Sequence, residues 1–140
     1  MIGDIFINSK DAYSTWGVSM GDGFIDAIDG FNELKGFVEN ESRLENGKRV
    51  ITANPKIAAR QLSLQFTIRG DSETDYRVKR KNFQKELEKG LVVIKIPSLG
   101  EEVYKLIYTG KNITYGMSLN RRFGKVSMKF EEPNPVDRTE

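Results

Sequence analysis

The chain has 140 residues, of which 38% are hydrophobic and 30% charged, and its formal net charge is +2. This length, with this balance of hydrophobic and charged residues, predicts one soluble domain with a sizeable core and argues against disorder. The longest apolar run, at 91–94, is too short to cross a bilayer. Residues 1–4 lack the basic and apolar regions of a secretory signal, so we expect no membrane partner.

Histidine and cysteine are both absent from the chain. Histidine is the commonest general base at neutral pH and the commonest metal ligand. A Ser-His-Asp triad, a Cys-His pair and a His-ligated zinc site therefore cannot be built from these residues. Only carboxylate, lysine or tyrosine chemistry is left. We expect a non-enzymatic protein without a cofactor or metal, and we assign no catalytic residue.

Acidic and basic side chains are unevenly distributed along the chain. Residues 1–46 carry nine acids and three bases, a net charge of −6, whereas residues 47–140 carry nineteen bases and eleven acids, a net charge of +8. Two interpretations are open. The asymmetry is either a chance property of a solvated surface, or it lets acidic and basic faces of successive copies meet head to tail, as in a closed ring.

The N-terminal third predicts short strands at 4–8, 13–20 and 37–44. The glycine-rich segment 21–36 forms either a short helix within a connection or an extended loop, and loops of this length usually carry a function. Its apolar residues are Phe24, Ile25, Ile28 and Phe31. Together with Trp16, these side chains either complete the core or form an exposed protrusion that binds a partner.

The clearest local signals lie in the middle of the chain. Residues 60–69 alternate between apolar and polar side chains, which predicts a half-buried strand. A helix is predicted at 72–89, because Ser72 can act as its N-cap, Asp75 follows in the manner of a capping box, and Gly90 suits the position after its end. The apolar stripe of this helix consists of Tyr76, Phe83 and Leu87.

After the helix, the sequence predicts four strands separated by short turns, as in an antiparallel meander. The strands are expected at 91–96, 103–108, 113–119 and 125–130, and the turns at 98–100, 110–112 and 120–124. Pro133 and Pro135, with polar neighbours, predict a flexible tail. We therefore expect a single domain at 1–132 with an extended loop at 21–36, followed by a tail at 133–140.

The basic run from Arg77 to Lys81 has the composition of a nucleic-acid-binding or localisation patch. It lies within the predicted helix, where Arg77 and Lys81 point away from the apolar stripe and Lys79 and Arg80 flank it. No aromatic and basic interleaving of the kind found in single-strand binders accompanies the run. We interpret it as a solvated or partner-facing surface and do not expect a nucleic-acid partner.

Acidic and glycine-rich patterns do not complete any known site. Residues 22–33 resemble a calcium loop, but Phe24 stands where an oxygen ligand is needed and Ala27 stands where the sharp turn needs glycine. Glu101-Glu102 and Glu131-Glu132 are adjacent carboxylates, and neighbours on a strand point to opposite faces, so neither pair forms a catalytic dyad by itself. The glycines fit neither a dinucleotide-binding nor a phosphate-binding loop.

The order of the elements resembles the N-terminal domain of phage distal-tail proteins, which is itself similar to the tail-tube fold. The resemblance covers most of the chain and is weakest at 9–58. The segments that carry it are the N-terminal strand with Phe6, Ile7 and Asn8, the alternating strand 62–68, the helix from Tyr76 to Leu87, the strands 92–94 and 104–108, and the terminal segment 129–135.

This resemblance implies an α+β, mainly antiparallel fold, which is a β-sandwich or barrel with one flanking amphipathic helix. It implies a structural component of a phage or prophage tail, in the distal tail, the baseplate or a tube-like ring. Such proteins assemble as rings, commonly hexamers, and dock to other tail proteins in the virion tail, after assembly in the bacterial host cytoplasm. The alternative is a monomeric module that binds carbohydrate or nucleic acid. The candidate interface residues are Phe24, Ile25, Ile28, Phe31, Arg77, Arg80 and Lys81.

Overall fold

The structure is a computed structural model that describes residues 2–32, 34–35, 38–41, 48–51 and 56–139. Its helices are α1 (Ala12–Trp16), α2 (Phe24–Ile28) and α3 (Glu73–Leu87), with a 3-10 turn at Pro97–Leu99. The strands are β1 (Phe6–Ile7), β2 (Lys10–Asp11), β3 (Val18–Met20), β4 (Val38–Glu41), β5 (Lys48–Ile51), β6 (Arg60–Arg69), β7 (Leu91–Lys95), β8 (Val103–Met117) and β9 (Phe123–Glu132).

Seven of the strands form one sheet in the order β2-β1-β7-β8-β9-β6-β3, and β4 and β5 form a separate pair. Every pairing among the described strands is antiparallel. The main sheet is open, with β2 and β3 at its two edges. The predicted α+β, mainly antiparallel fold class with an amphipathic helix against the sheet is confirmed. Where the prediction gave a β-sandwich or barrel with one helix, the described residues form an open seven-stranded sheet with two short helices beside α3.

Strand β6 shows how the alternating sequence builds the core. It pairs with β9 along its whole length, from Arg60 opposite Glu132 to Arg69 opposite Phe123. Successive side chains of a strand point to opposite faces, so every second residue faces the helices. The buried apolar residues are Leu62, Leu64, Phe66 and Ile68, which confirms the predicted strand at 60–69.

Helix α3 begins and ends where the sequence predicts. The Ser72 hydroxyl accepts a hydrogen bond from the N–H of Asp75 (3.1 Å), and the Asp75 carboxylate accepts one from the N–H of Asp71 (2.9 Å). Gly90 follows the helix with a φ of 96°, a left-handed conformation that favours glycine. The buried stripe contains Tyr76, Phe83 and Leu87, as expected.

An aromatic cluster joins the helices to one face of the sheet. The ring centroid of Phe66 on β6 lies 5.1 Å from that of Phe24, 5.3 Å from that of Phe83 and 6.1 Å from that of Phe130. Trp16 on α1 extends the cluster, 5.8 Å from Phe83. The Phe66 contacts are edge-to-face. This geometry stabilises an aromatic pair by more than the burial of its apolar area alone. All three helices therefore share one core with the sheet.

Residues 13–20, predicted as one strand, instead form most of α1 and then β3. The Asp11 side chain caps α1 by accepting a hydrogen bond from the N–H of Tyr13 (3.1 Å), and Gly17 ends it with a φ of 66°. The strand prediction is confirmed for 18–20 and was wrong for 13–16, because the two capping residues stabilise a helical turn over extended backbone.

The other N-terminal strands are shorter than predicted. Of the predicted strand 4–8, only Phe6–Ile7 is extended, because Asn8 and Ser9 take positive φ values of 51° and 67° in the turn to β2. Of the predicted strand 37–44, residues 38–41 form β4, and residues 37 and 42–44 lie outside the described residues.

Residues 110–112, predicted as a turn, lie within β8, which is one strand of 15 residues. The pairing with β9 shifts register on both sides of Lys111, so the segment is a β-bulge. Gly110 and Asn112 have φ values of 66° and 53°. The turn prediction was wrong because glycine and asparagine residues with positive φ occur in β-bulges as well as in turns.

Residues 133–139, predicted as part of a flexible tail, lie against the sheet. Arg138 donates two hydrogen bonds to the carboxylate of Glu132, from Nε (3.0 Å) and Nη2 (3.1 Å), and its guanidinium lies 4.9 Å from the ring centroid of Tyr104. The carbonyl of Arg138 also accepts a hydrogen bond from the N–H of Val103 (2.8 Å). The segment is held here because a buried carboxylate requires charged partners.

The Glu86 carboxylate on α3 holds the turn between β1 and β2 against the helix. It accepts a hydrogen bond from Nδ2 of Asn8 (3.0 Å) and forms ion pairs with Nζ of Lys10 (3.1 Å) and Nζ of Lys89 (2.9 Å). The hydrogen bond from Lys89 is the main cause that lowers the pKa of Glu86 to about 2, against the opposing effect of burial.

Glu86→Gln is expected to reduce the free energy of unfolding by about 1 kcal/mol near neutral pH, because both lysines are largely exposed and their pairs are screened by water. A carboxyl group with a lowered pKa stabilises the fold above its unfolded pKa. The contribution of Glu86 should therefore disappear as the pH falls from about 4.5 through about 2. Urea titrations at stepped pH measure this, and a difference between wild type and variant that persists unchanged through this range would contradict it.

Candidate functional site

Strand β8 has an unpaired edge beyond the end of β7. The two strands pair as far as Ile107, and the N–H of Tyr108 then donates to the carbonyl of Gly90 (2.8 Å). Residues 109–117 run alongside β9 on one side, and no described strand pairs with their other side. We call residues 109–117 the free edge.

Apolar side chains of the free edge are partly exposed to solvent. Ile113, Tyr115 and Met117 are 50%, 40% and 39% exposed, and Leu119 in the following turn is fully exposed. Alternate residues of a strand share a face, so the first three form one apolar row. An unpaired edge that carries exposed apolar side chains favours association with another chain.

An apolar groove separates this row from helix α3. Its volume is about 180 Å³. Arg80, Phe83 and Leu87 contribute to it from the helix, and Ile113 and Tyr115 contribute from β8. Tyr108, Val126 and Met128 also line it. We call this feature the α3–β8 groove.

Two tyrosines hold the free edge against α3. The hydroxyl oxygens of Tyr76 and Tyr115 lie 2.5 Å apart, and the Arg80 guanidinium lies 5.0 Å from the ring centroid of Tyr115. Burial, and then the hydrogen bond to Tyr115, raises the pKa of Tyr76. The Tyr76 hydroxyl occupies the space that a Cβ at position 124 would need, so β9 requires Gly124 there.

Tyr115→Phe is expected to lower the free energy of unfolding by about 1–3 kcal/mol, because it leaves the buried hydroxyl of Tyr76 without its partner. Chemical denaturation measures this. Tyr13→Phe is the matched control, since the hydroxyl of Tyr13 forms no hydrogen bond with a described residue. Equal stability losses in the two variants would contradict a structural role for the tyrosine pair.

The structure separates the predicted basic interface residues along α3. Arg80 lines the α3–β8 groove, whereas Arg77 and Lys81 are exposed. Within the described part of the chain, none of the three forms a salt bridge with a carboxylate. The charges of Arg77 and Arg80 both act on the Tyr76 hydroxyl, which places both near the tyrosine pair. Their role as interface residues stays a prediction.

The four apolar residues predicted as an interface divide into two pairs. Phe24 and Ile28 are buried against β6 because α2 directs them inward, and so they complete the core rather than form an exposed surface. Trp16 is buried as well. In contrast, Ile25 is 38% exposed and Phe31 is 99% exposed. The role of Ile25 and Phe31 as interface residues stays a prediction.

Three exposed carboxylates lie in the same ten-residue segment, 22–31, as the exposed pair. We call the group the α2 knob, which consists of Asp22, Ile25, Asp26, Asp29 and Phe31. Its base is fixed from beneath by Arg60, which donates to the carbonyls of Ile28 (2.9 Å) and Gly30 (3.1 Å) and to the buried Glu132 carboxylate (2.8 Å).

The acidic patterns of the sequence do not converge on one site. Among the described residues, no group of three or more acidic side chains is arranged to hold a metal ion, and Glu33 lies outside those residues. Glu101 approaches Lys95 (3.5 Å), Glu102 approaches Arg138 (3.4 Å) and Glu131 accepts from Gln61 (3.0 Å). No described helix is long and apolar enough to cross a membrane.

The groove-lining residues of β8, Ile113 and Tyr115, were not among the predicted interface residues. They alternate with polar or small residues in a segment predicted as a strand, which was the available signal. The alternation alone does not show which face of the strand is buried. The exposure of this part of β8 depends on β7, which ends before it can pair with residues 109–117.

The overall fold of this chain is similar to that of a solved structure. The crystal structure of SPP1 Dit (gp 19.1), described as a paradigm of the hub adsorption apparatus in phages that infect Gram-positive hosts, matches 96% of this chain with a TM-score of 0.61 and 18% sequence identity. The chain shares the fold of SPP1 Dit.

The similarity to SPP1 Dit extends over part of that protein. The match covers 50% of the SPP1 Dit chain, so the present chain spans about half of its length. No protein-family model matches this chain, and no curated protein matches it. The Dit-like fold agrees with the phage-tail-related fold that the order of elements predicted.

Proposed function

We propose that this protein is a structural component of a phage or prophage tail, which acts by self-assembly and by docking to other tail proteins rather than by catalysis. The free edge of β8 is the observation that carries the proposal, and the fold shared with SPP1 Dit supports it. The proposed location is the virion tail, in a ring of the distal tail or baseplate, after assembly in the host cytoplasm.

The physical argument starts from the backbone of the free edge. Unpaired N–H and C=O groups in a row form a template for another strand, and monomeric proteins usually protect such edges with charge, proline or a covering segment. Lys111 and the bulge at 110–112 protect the start of this edge, whereas residues 113–117 carry neither a charged side chain nor a proline. A neighbouring subunit would pair with these backbone groups and remove the apolar row from water.

Self-association of the purified protein, with and without neighbouring tail proteins, tests the proposal. Ile113→Lys places a charge in the apolar row and is expected to weaken the assembly at least tenfold in dissociation constant. Val78→Lys is the matched control, because Val78 is 52% exposed on α3 and does not line the groove. Light scattering over a concentration series measures both variants. A wild-type protein that stays monomeric alone and with tail proteins would contradict the proposal.

A further inference from the structure

We infer that the α3–β8 groove of one copy receives the α2 knob of a second copy, with Phe31 as the inserted side chain. This inference rests on the proposed function, because it names a contact through which copies of the chain join. Three properties carry it: the size of the groove, the rigidity of the knob and the charges on the two surfaces.

The groove has the size and chemistry to bind one aromatic ring. Its volume is about 180 Å³, and an apolar cavity of roughly 150 Å³ accommodates benzene. Phe83, Leu87 and Ile113 give it apolar walls. Phe31 is 99% exposed, so its ring gains the full benefit of leaving water when it enters such a site.

The knob is held in place before any partner arrives. Phe24 anchors α2 in the core, 5.1 Å from the ring of Phe66. Arg60 binds the carbonyls of Ile28 and Gly30, immediately before Phe31. A segment that is fixed in this way loses little conformational entropy when it binds, which favours its use as an interface.

The charges of the two surfaces are complementary. Asp22, Asp26 and Asp29 are exposed, and none forms a salt bridge with a described cation. Arg80 lines the groove and Arg77 lies near the Tyr76 hydroxyl, and neither forms a salt bridge with a described carboxylate. Glu88 carries the opposing charge on this side of α3, and it acts on Tyr108, which lines the groove. Unneutralised acids on one surface and unneutralised arginines on the other steer the two together.

The two surfaces are distinct parts of the chain. The residues that line the groove belong to β6, α3, β8 and β9, whereas the knob lies in residues 22–31. A contact between two different surfaces of identical copies is heterologous, so it repeats from copy to copy and closes into a ring or extends as a filament. A two-fold dimer would instead bring the same surface of each copy together.

Thiol crosslinking tests this contact, because the chain has no cysteine of its own. Asn32→Cys places a thiol next to Phe31, and Gln84→Cys places one at the groove. A mixture of the two full-length variants, treated with a short thiol-specific crosslinker, is expected to give covalent dimers. The matched control replaces Gln84→Cys with Val78→Cys, which is exposed on α3 outside the groove, and its yield should be at least fivefold lower.

Reversing the charges on the two surfaces shows whether the contact depends on the attraction between the groove arginines and the knob aspartates. Arg77→Glu with Arg80→Glu in the groove partner is expected to reduce the crosslinking yield at least fivefold. Asp26→Arg with Asp29→Arg in the knob partner should then restore it. Yields that do not respond to either change, or that match the Val78→Cys control, in a protein that still assembles would overturn the inference and leave the proposed function standing. A wild-type protein that stays monomeric alone and with tail proteins, together with Asn32→Cys and Gln84→Cys variants that do not crosslink to each other, would overturn both.

Discussion

Phe66→Ala is expected to lower the free energy of unfolding by about 3–5 kcal/mol, because it opens a cavity at the centre of the aromatic cluster. Phe66 contacts Phe24 on α2, Phe83 on α3 and Phe130 on β9. Its removal therefore loosens two helices and a neighbouring strand at once. Denaturant titration followed by tryptophan fluorescence suits the measurement, since Trp16 lies against Phe83 in the same cluster.

Phe31→Ala is the matched control for this prediction. Both changes remove the same phenyl ring, but Phe31 is 99% exposed and makes no core contact in the single chain. The expected change in the free energy of unfolding is within about 0.5 kcal/mol. Similar losses from the two variants would show that the core has been placed wrongly.

Glu132→Ala is expected to cost about 3–5 kcal/mol, because it leaves the buried guanidinium of Arg60 without its counter-charge. Arg60 is 6% exposed and Glu132 is fully buried, with Nε of Arg60 2.8 Å from the carboxylate. Arg138 also loses its two hydrogen bonds to this carboxylate. The segment 133–139 should then become sensitive to protease.

Two comparisons make the Glu132 prediction specific. Glu131→Ala changes the neighbouring carboxylate, whose hydrogen bond to Gln61 is exposed, and should cost about 0.5 kcal/mol or less. The double variant Arg60→Ala with Glu132→Ala should cost less than the sum of the single changes, because it removes both buried charges together. Additive losses would show that the two residues do not act as a pair.

The parts of the fold that the sequence predicted correctly depend on local signals. The alternation at 60–69 follows from the burial of one face of a strand, whatever its partner strand is. The capping of α3 by Ser72 involves only residues close to each other in the sequence. The same kind of signal was overlooked at α1, where Asp11 and Gly17 cap one turn of helix. Local pattern reading is thus reliable where capping and periodicity agree, and it fails where they compete.

The candidate site was harder to predict because it depends on contacts between distant segments. The exposure of Ile113 and Tyr115 follows from β7 ending opposite Ile107, which the sequence of β8 does not encode. The network of Arg60, Glu132 and Arg138 joins residues up to 78 positions apart in the sequence. It forms because β6 pairs with β9 and places Arg60 opposite Glu132, a pairing that is not visible in either strand's own sequence. The division of residues 24–31 into buried and exposed members likewise depends on where α2 meets β6.

Hydrogen exchange of the free edge provides the most direct test of the account. In the isolated chain, the backbone amides of 109–117 that face away from β9 should exchange rapidly, since no described strand protects them. In the assembled state, alone or with other tail proteins, we expect these amides to become protected by at least tenfold. Rapid exchange at 109–117 in an assembly that protects other surfaces would contradict the central claim that copies of this protein join through this edge.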